Sequence, residues 1–175
     1  EARKRGNSFY FPDRVIPMLP EKLSNDVCSL LPNKVRACVV CEIILKDYKI
    51  MKYNFHRAKI ISIARLTYKQ VDQIYYSNKK NYLSKIIFNL FSALEVLKKL
   101  SENRGKLSIN VKEYELKLKD KKSFDFDLKK QFKSYRLVEE FMVLANNVVA
   151  NFLKLNNIKS AFRNHDQPKN EKIKE

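Results

Sequence analysis

The sequence predicts a single α+β unit in which antiparallel strands pack with long amphipathic helices, and three observations support this. Two stretches, 81–102 and 134–155, carry apolar residues at three- and four-residue spacing, the period of a helix with one buried face. Shorter runs alternate apolar and polar residues and come in pairs separated by charged breaks, the pattern of antiparallel hairpins. No internal repeat or linker divides the 175 residues, and 45% hydrophobic content supplies enough material for one core.

The elements follow in order. The stretch GNSFYFPDRVIPMLP (6–20) holds three of the five prolines. Pro12, Pro17 and Pro20 fix φ and remove N–H donors, which excludes a continuous helix and disfavours a central strand. Phe9, Tyr10 and Phe11 make the resulting loop too apolar for a plain connection, so either it packs under something or something packs on it. Residues 20–30 can hold a turn or two of helix with Pro20 in the first turn. Residues 36–45 and 50–63 read as a hairpin around the polar break 46–49, with Met51, Tyr53 and Phe55 on one side. Thr67 can cap a short helix over 68–76. In the helix over 81–102, Leu83, Ile86, Ile87, Leu90, Phe91, Leu94 and Leu97 form the apolar stripe, and Gly105 ends it. Strands over 107–118 and 124–128 flank the charged turn 119–123. The last helix, 134–155, includes Leu137, Phe141, Leu144, Val148 and Phe152, and a polar tail begins at Pro168.

Charge narrows the function. Thirty-six basic residues against nineteen acidic ones give +17, which calls for an anionic partner: nucleic acid first, a membrane surface second. The bland alternative is a lysine-biased proteome. The best apolar run, 37–45, is broken by Glu42 and falls short of the roughly 20 residues a membrane span needs, so no membrane span is expected; of the two anionic partners nucleic acid is kept and no membrane is. No secretory signal is seen, and three cysteines do not make a disulfide framework, which fits a reducing cytoplasm. Two glycines leave no phosphate-cradling loop.

Four groups carry candidate chemistry. Cys38 and Cys41 form CVVC, the spacing of a zinc half-site or redox pair, but Cys28, His56 and His165 supply no second half-site, and both thiols read as small core residues. Asp125 and Asp127 in FDFDL share a strand face, either a seed for Mg²⁺ or the wet face of an edge strand. Glu139 and Glu140 sit among Leu137, Val138, Phe141 and Met142, so at least one should face a packed or polar-lined interior. Phe9, Tyr10 and Tyr68 lie near Arg3, Lys4, Arg5, Arg14, Arg65 and Lys69, the mixture of rings and cations that suits single-stranded nucleic acid. For the rings, core filling is the alternative. No Ser/His/Asp or Cys/His nucleophile set can be assembled from His56 and His165.

Four blocks together, EARKRGNSFYFPDRVIPMLPEKLSNDVCSLLPN (1–33), ARLTYKQV (64–71), LVEEFMVLAN (137–146) and FRNHDQP (162–168), resemble the ribonuclease II/ribonuclease R family. The likeness is to its RNB catalytic domain, nearest the ribonuclease R branch, and covers nearly the whole chain. The resemblance implies Mg²⁺-dependent, processive hydrolysis of single-stranded RNA from its 3′ end, with release of nucleoside monophosphates in a basic channel. It implies that Tyr10 stacks on the 3′-terminal nucleotides, and that Tyr68 and Glu139 help tell RNA from DNA. A phenol and a carboxylate suit that task, since both can hydrogen-bond the ribose hydroxyl that DNA lacks.

Departures from the family pattern bear on activity. The family's aspartate cluster, D-x5-D-x-D-D, is reproduced by none of the eight aspartates, and the arginine of the TSPIRRY-type motif is not in the sequence. Without them a two-metal clamp cannot be assembled, so no metal site is expected in these residues. Cold-shock and S1-type RNA-binding domains are also not in the sequence. Ile109 stands where the family has a stacking phenylalanine, and an alkyl cannot stack as a ring does. Ser134 and Tyr135 stand where the family often has Ala-His. The expectation is therefore a partial RNB domain over 1–167 with a tail over 168–175. It should be monomeric, should bind RNA weakly and should cleave nothing unaided. The alternatives are a non-catalytic RNA-binding remnant and an inert scaffold fragment. Helix stripes and strand edges that the rest of such a domain would cover should lie exposed.

Overall fold

The structure is a computed structural model that describes residues 1–77, 81–106, 113–120, 123–128 and 130–163. Its α+β character matches the expectation. In order it holds α1 (Ala2–Arg5), β1 (Phe9–Tyr10), β2 (Val15–Ile16), a single π-helical segment (Lys22–Val27), β3 (Val35–Lys46) and β4 (Lys49–Ile61). The order then continues through α2 (Tyr68–Tyr76), α3 (Tyr82–Asn103), β5 (Tyr114–Asp120), β6 (Ser123–Leu128) and α4 (Lys133–Leu155). The strands form three separate antiparallel pairs, β1–β2, β3–β4 and β5–β6.

The core is built by helices. Ile87, Phe91 and Leu94 on α3 meet Leu137 on α4, with Val71, Ile74 and Tyr75 of α2 closing a three-helix layer. Further along, Leu97, Leu144 and Val148 pack under Cys41, Ile43, Leu45, Tyr53 and Phe55 of the β3–β4 hairpin. Phe152 adds an edge-on contact to Tyr53 and a tilted one to Phe55. The apolar stripe on α3 is narrower than its sequence suggests, since Leu90 faces solvent along with Phe88.

The hairpin changes sides along its length. Near its turn the face of Cys41, Ile43 and Leu45 is half-buried; near its open end the opposite face, Arg36 and Cys38, is half-buried instead. Arg36 explains the second patch: it bonds Asp26 at 2.6 Å and donates to the Ser29 carbonyl at 3.0 Å, so the 22–31 segment covers that end. Cys38 and Cys41, at odd spacing in a regular ladder, point to opposite faces. CVVC is therefore no ligand pair, and only Cys41 joins the helical core. Asp47 and Tyr48 at the turn both adopt positive φ, the two-residue hairpin geometry that matches strand twist. Met51, beside the register irregularity at Ile44/Leu45, is exposed and does not extend the covered stripe of Tyr53 and Phe55.

The proline stretch forms a two-rung ribbon, Phe9 opposite Ile16 and Tyr10 opposite Val15. The Ser8 hydroxyl accepts from Met18 N–H, and Arg5 donates to the Pro17 carbonyl, pinning its base. Ile109, the first half of the predicted 107–118 strand, and the chain from 164 onward lie outside the described residues. Among the described residues no helix is long and apolar enough to cross a membrane.

Candidate nucleic-acid interface

Two helix N-termini assemble the candidate site. On α2, Thr67 accepts from Gln70 N–H while the Gln70 side chain accepts from Thr67 N–H, a reciprocal capping box that leaves Tyr68 at the first helical position. Phe132 cannot cap α4 with its side chain, and the cap comes from α2: the Asp72 carboxylate accepts from Lys133 N–H at 2.9 Å and Ser134 N–H at 3.0 Å. Ser134, buried, donates its hydroxyl to the Tyr68 carbonyl. These bonds lock the two helix starts together and set the Tyr68 ring against Tyr135, centroids 4.3 Å apart, with the Phe132 ring 5.6 Å from Tyr135.

Glu139 lies four residues beyond Tyr135, on the same face of α4. The two carboxylates of LVEE have separate fates. Glu140 is 2% exposed and accepts from the Ser101 hydroxyl and from Lys106 Nζ at 2.7 Å, whereas Glu139 is exposed and accepts from the same Nζ at 2.7 Å. The expectation that at least one carboxylate faces the interior holds, and it is Glu140.

Lys106 reaches this position through the end of α3. Its N–H bonds the Ser101 carbonyl, Gly105 N–H bonds the Glu102 carbonyl, and Gly105 takes φ +79°, the paired reversal in which glycine is favoured. Arg104 completes the group by donating to Ser101 Oγ at 2.7 Å. Burial pushes the Glu140 carboxyl up, but the bonds from Lys106 and Ser101 and the charges of Lys106 and Arg104 outweigh it, holding its pKa below the usual glutamate value. The bonds to Glu139 and then Glu140 hold the Lys106 amine above the usual lysine value.

Tyr10 sits apart on the β1–β2 ribbon, 79% exposed, with Phe9 and Phe11 each about half exposed and Arg14 over the Phe11 ring. The structure thus gathers Tyr68, Tyr135 and Glu139, and puts Tyr10 on a different element. Lys106 and Asp72 escaped the sequence reading, because nothing local to either marks a partner thirty or sixty residues away. Among the described residues no three His, Cys, Asp or Glu side chains come together as metal ligands, so those residues do not fit a Mg²⁺ site.

The chain with this basic α+β fold belongs to the RNB domain family, whose family model matches residues 1–175. Its curated relatives include ribonucleases R. The chain is 37% identical over 180 residues to ribonuclease R of Escherichia coli (strain K12), covering 99% of this chain and 22% of that protein. It is 34% identical over 175 residues to ribonuclease R of Chlamydia trachomatis, covering 99% of this chain and 25% of that protein. The apo form of Mycoplasma genitalium RNase R superposes with a TM-score of 0.88 at 30% identity, over 99% of this chain and 28% of that one. The same enzyme in complex with ribose-methylated single-stranded RNA gives 0.85 at 31% identity, over 99% of this chain and again 28% of that one. The chain therefore spans about a quarter of the length of the relatives it matches.

Proposed function

We propose that these residues form a segment of a 3′-to-5′ exoribonuclease domain that contacts single-stranded RNA, with Tyr10, Tyr68 and Glu139 on the RNA side. The observation that carries this reading is the Tyr68–Tyr135 ring pair one helical turn from Glu139, on a chain of net charge +17. Rings offer stacking faces, a carboxylate accepts from a ribose hydroxyl, and surrounding cations attract phosphates. The parent reaction would be hydrolysis of a phosphodiester to nucleoside monophosphates with Mg²⁺. Among the described residues no cluster of ligands fits that ion. The sequence lacks the D-x5-D-x-D-D cluster, and this favours RNA binding without cleavage as the property of the 175 residues themselves.

Fluorescence anisotropy with a labelled single-stranded RNA tests the reading. Affinity should fall steeply with salt, as release of counterions requires, and should fall further in Tyr10→Ala and Tyr68→Ala. Unchanged affinity in both variants would remove the rings from the interface. Mg²⁺-dependent mononucleotide release by the chain alone would overturn its inactivity.

A further inference from the structure

A carboxylate in the path of a sugar–phosphate strand carries an electrostatic cost. It can accept from a 2′-hydroxyl, yet it repels the phosphates on either side. In this chain the carboxylate in question, Glu139, has a second carboxylate adjacent in sequence. The structure meets the problem with Lys106, whose Nζ lies 2.7 Å from both Glu139 and Glu140. Glu140 is sealed in place, 2% exposed and bonded by the Ser101 hydroxyl, and the Gly105 reversal fixes the Lys106 backbone. With Arg104 attached through Ser101, two cations stand against two carboxylates. The ammonium is thus anchored from behind on Glu140, and Glu139 is the exposed carboxylate of a balanced set.

We propose that Lys106 is a positioning residue for nucleic-acid recognition: anchored on Glu140, it orients and neutralises Glu139 so that this carboxylate can take a ribose hydroxyl without repelling the neighbouring phosphates. The proposal rests on the reading of the Tyr68–Glu139 face as an RNA contact. A purely structural role for Lys106, compensating buried Glu140, makes a different prediction, because it gives Glu139 no part.

The test is equilibrium binding of one oligonucleotide sequence, as single-stranded RNA and as DNA, to the 175-residue chain and its variants. Lys106→Met should lose affinity severalfold for both strands, and Lys106→Arg should retain it. Glu139→Gln should lose most of the preference for RNA while gaining affinity for DNA. Adding Glu139→Gln to Lys106→Met should restore DNA binding to the wild-type level. A double variant as weak as Lys106→Met overturns the proposal and leaves Lys106 a structural group. If circular dichroism shows Lys106→Met unfolded, Glu139→Gln alone decides, and no change in either affinity overturns it. Failure of the unmodified chain to bind either strand at low salt overturns the functional reading itself, and this proposal with it.

Discussion

At Glu140 a carboxylate is almost wholly buried, and its neighbours decide whether that stabilises the chain. Truncating this buried carboxylate takes an acceptor from the Ser101 hydroxyl and one of two partners from Lys106, so Glu140→Ala should cost about 2–3 kcal/mol, at the low end because Lys106 keeps Glu139 and nearly a third of its side chain stays in solvent. Urea denaturation of the two proteins measures this, and equal midpoints would show that the pair contributes nothing. The acid limb follows from the direction of the shift. Glu140 is lowered in the folded state, so its contribution is complete above the unfolded-chain value of about 4.3 and disappears as pH falls through the folded value. Lys106 is raised, so its contribution is complete below about 10.4 and is lost as pH rises through its folded value. Glu140→Gln should therefore flatten the fall in melting temperature below about pH 4 relative to the unmodified chain. At this scale the sequence led to the expectation that at least one carboxylate of LVEE turns inward, but not which one. That depends on where the end of α3 crosses α4, set by residues 101–106 and invisible in the local pattern.

Among elements, α4 depends most on distant partners. Its first turn has no local cap, and Asp72 on α2 supplies one across sixty residues. Asp72→Ala should cost about 1–2 kcal/mol, and the loss should separate the helix starts that hold Tyr68 against Tyr135. A drop in melting temperature of roughly 3–6 °C is expected by calorimetry, and no shift would mean that water replaces the cap without penalty. Elements whose signals are local were legible: the cap at Thr67, the helix end at Gly105, the periodicity of α3 and α4, and the β3–β4 hairpin. The change of covered face along that hairpin was not legible, because it depends on Arg36 reaching the 22–31 segment. The CVVC pair shows the same limit, since both thiols read as core residues and strand alternation sends only Cys41 to the helical core.

For the whole molecule, exposed area and charge oppose each other. The chain exposes 15438 Å², against about 9000 Å² for a compact monomer of its mass by the usual size scaling. The excess includes apolar faces: Val35, Val39, Ile44 and Met51 on the hairpin, Phe88 on α3, Val138 and Met142 on α4. Such faces favour association. A net charge of +17 resists it, but over a distance that salt sets, about 10 Å at 0.1 M and shrinking as ionic strength rises. The chain should therefore be monomeric in dilute buffer and form larger species as salt screens the charge, and an apolar dye should bind it under both conditions. Light scattering across a salt series measures the first effect. The same series weakens RNA binding by counterion release, so salt should exchange an RNA-bound monomer for self-association. Scattering that stays flat to about 1 M salt, where screening has cut the charge range to about 3 Å, would mean that the exposed faces are too dispersed to dock.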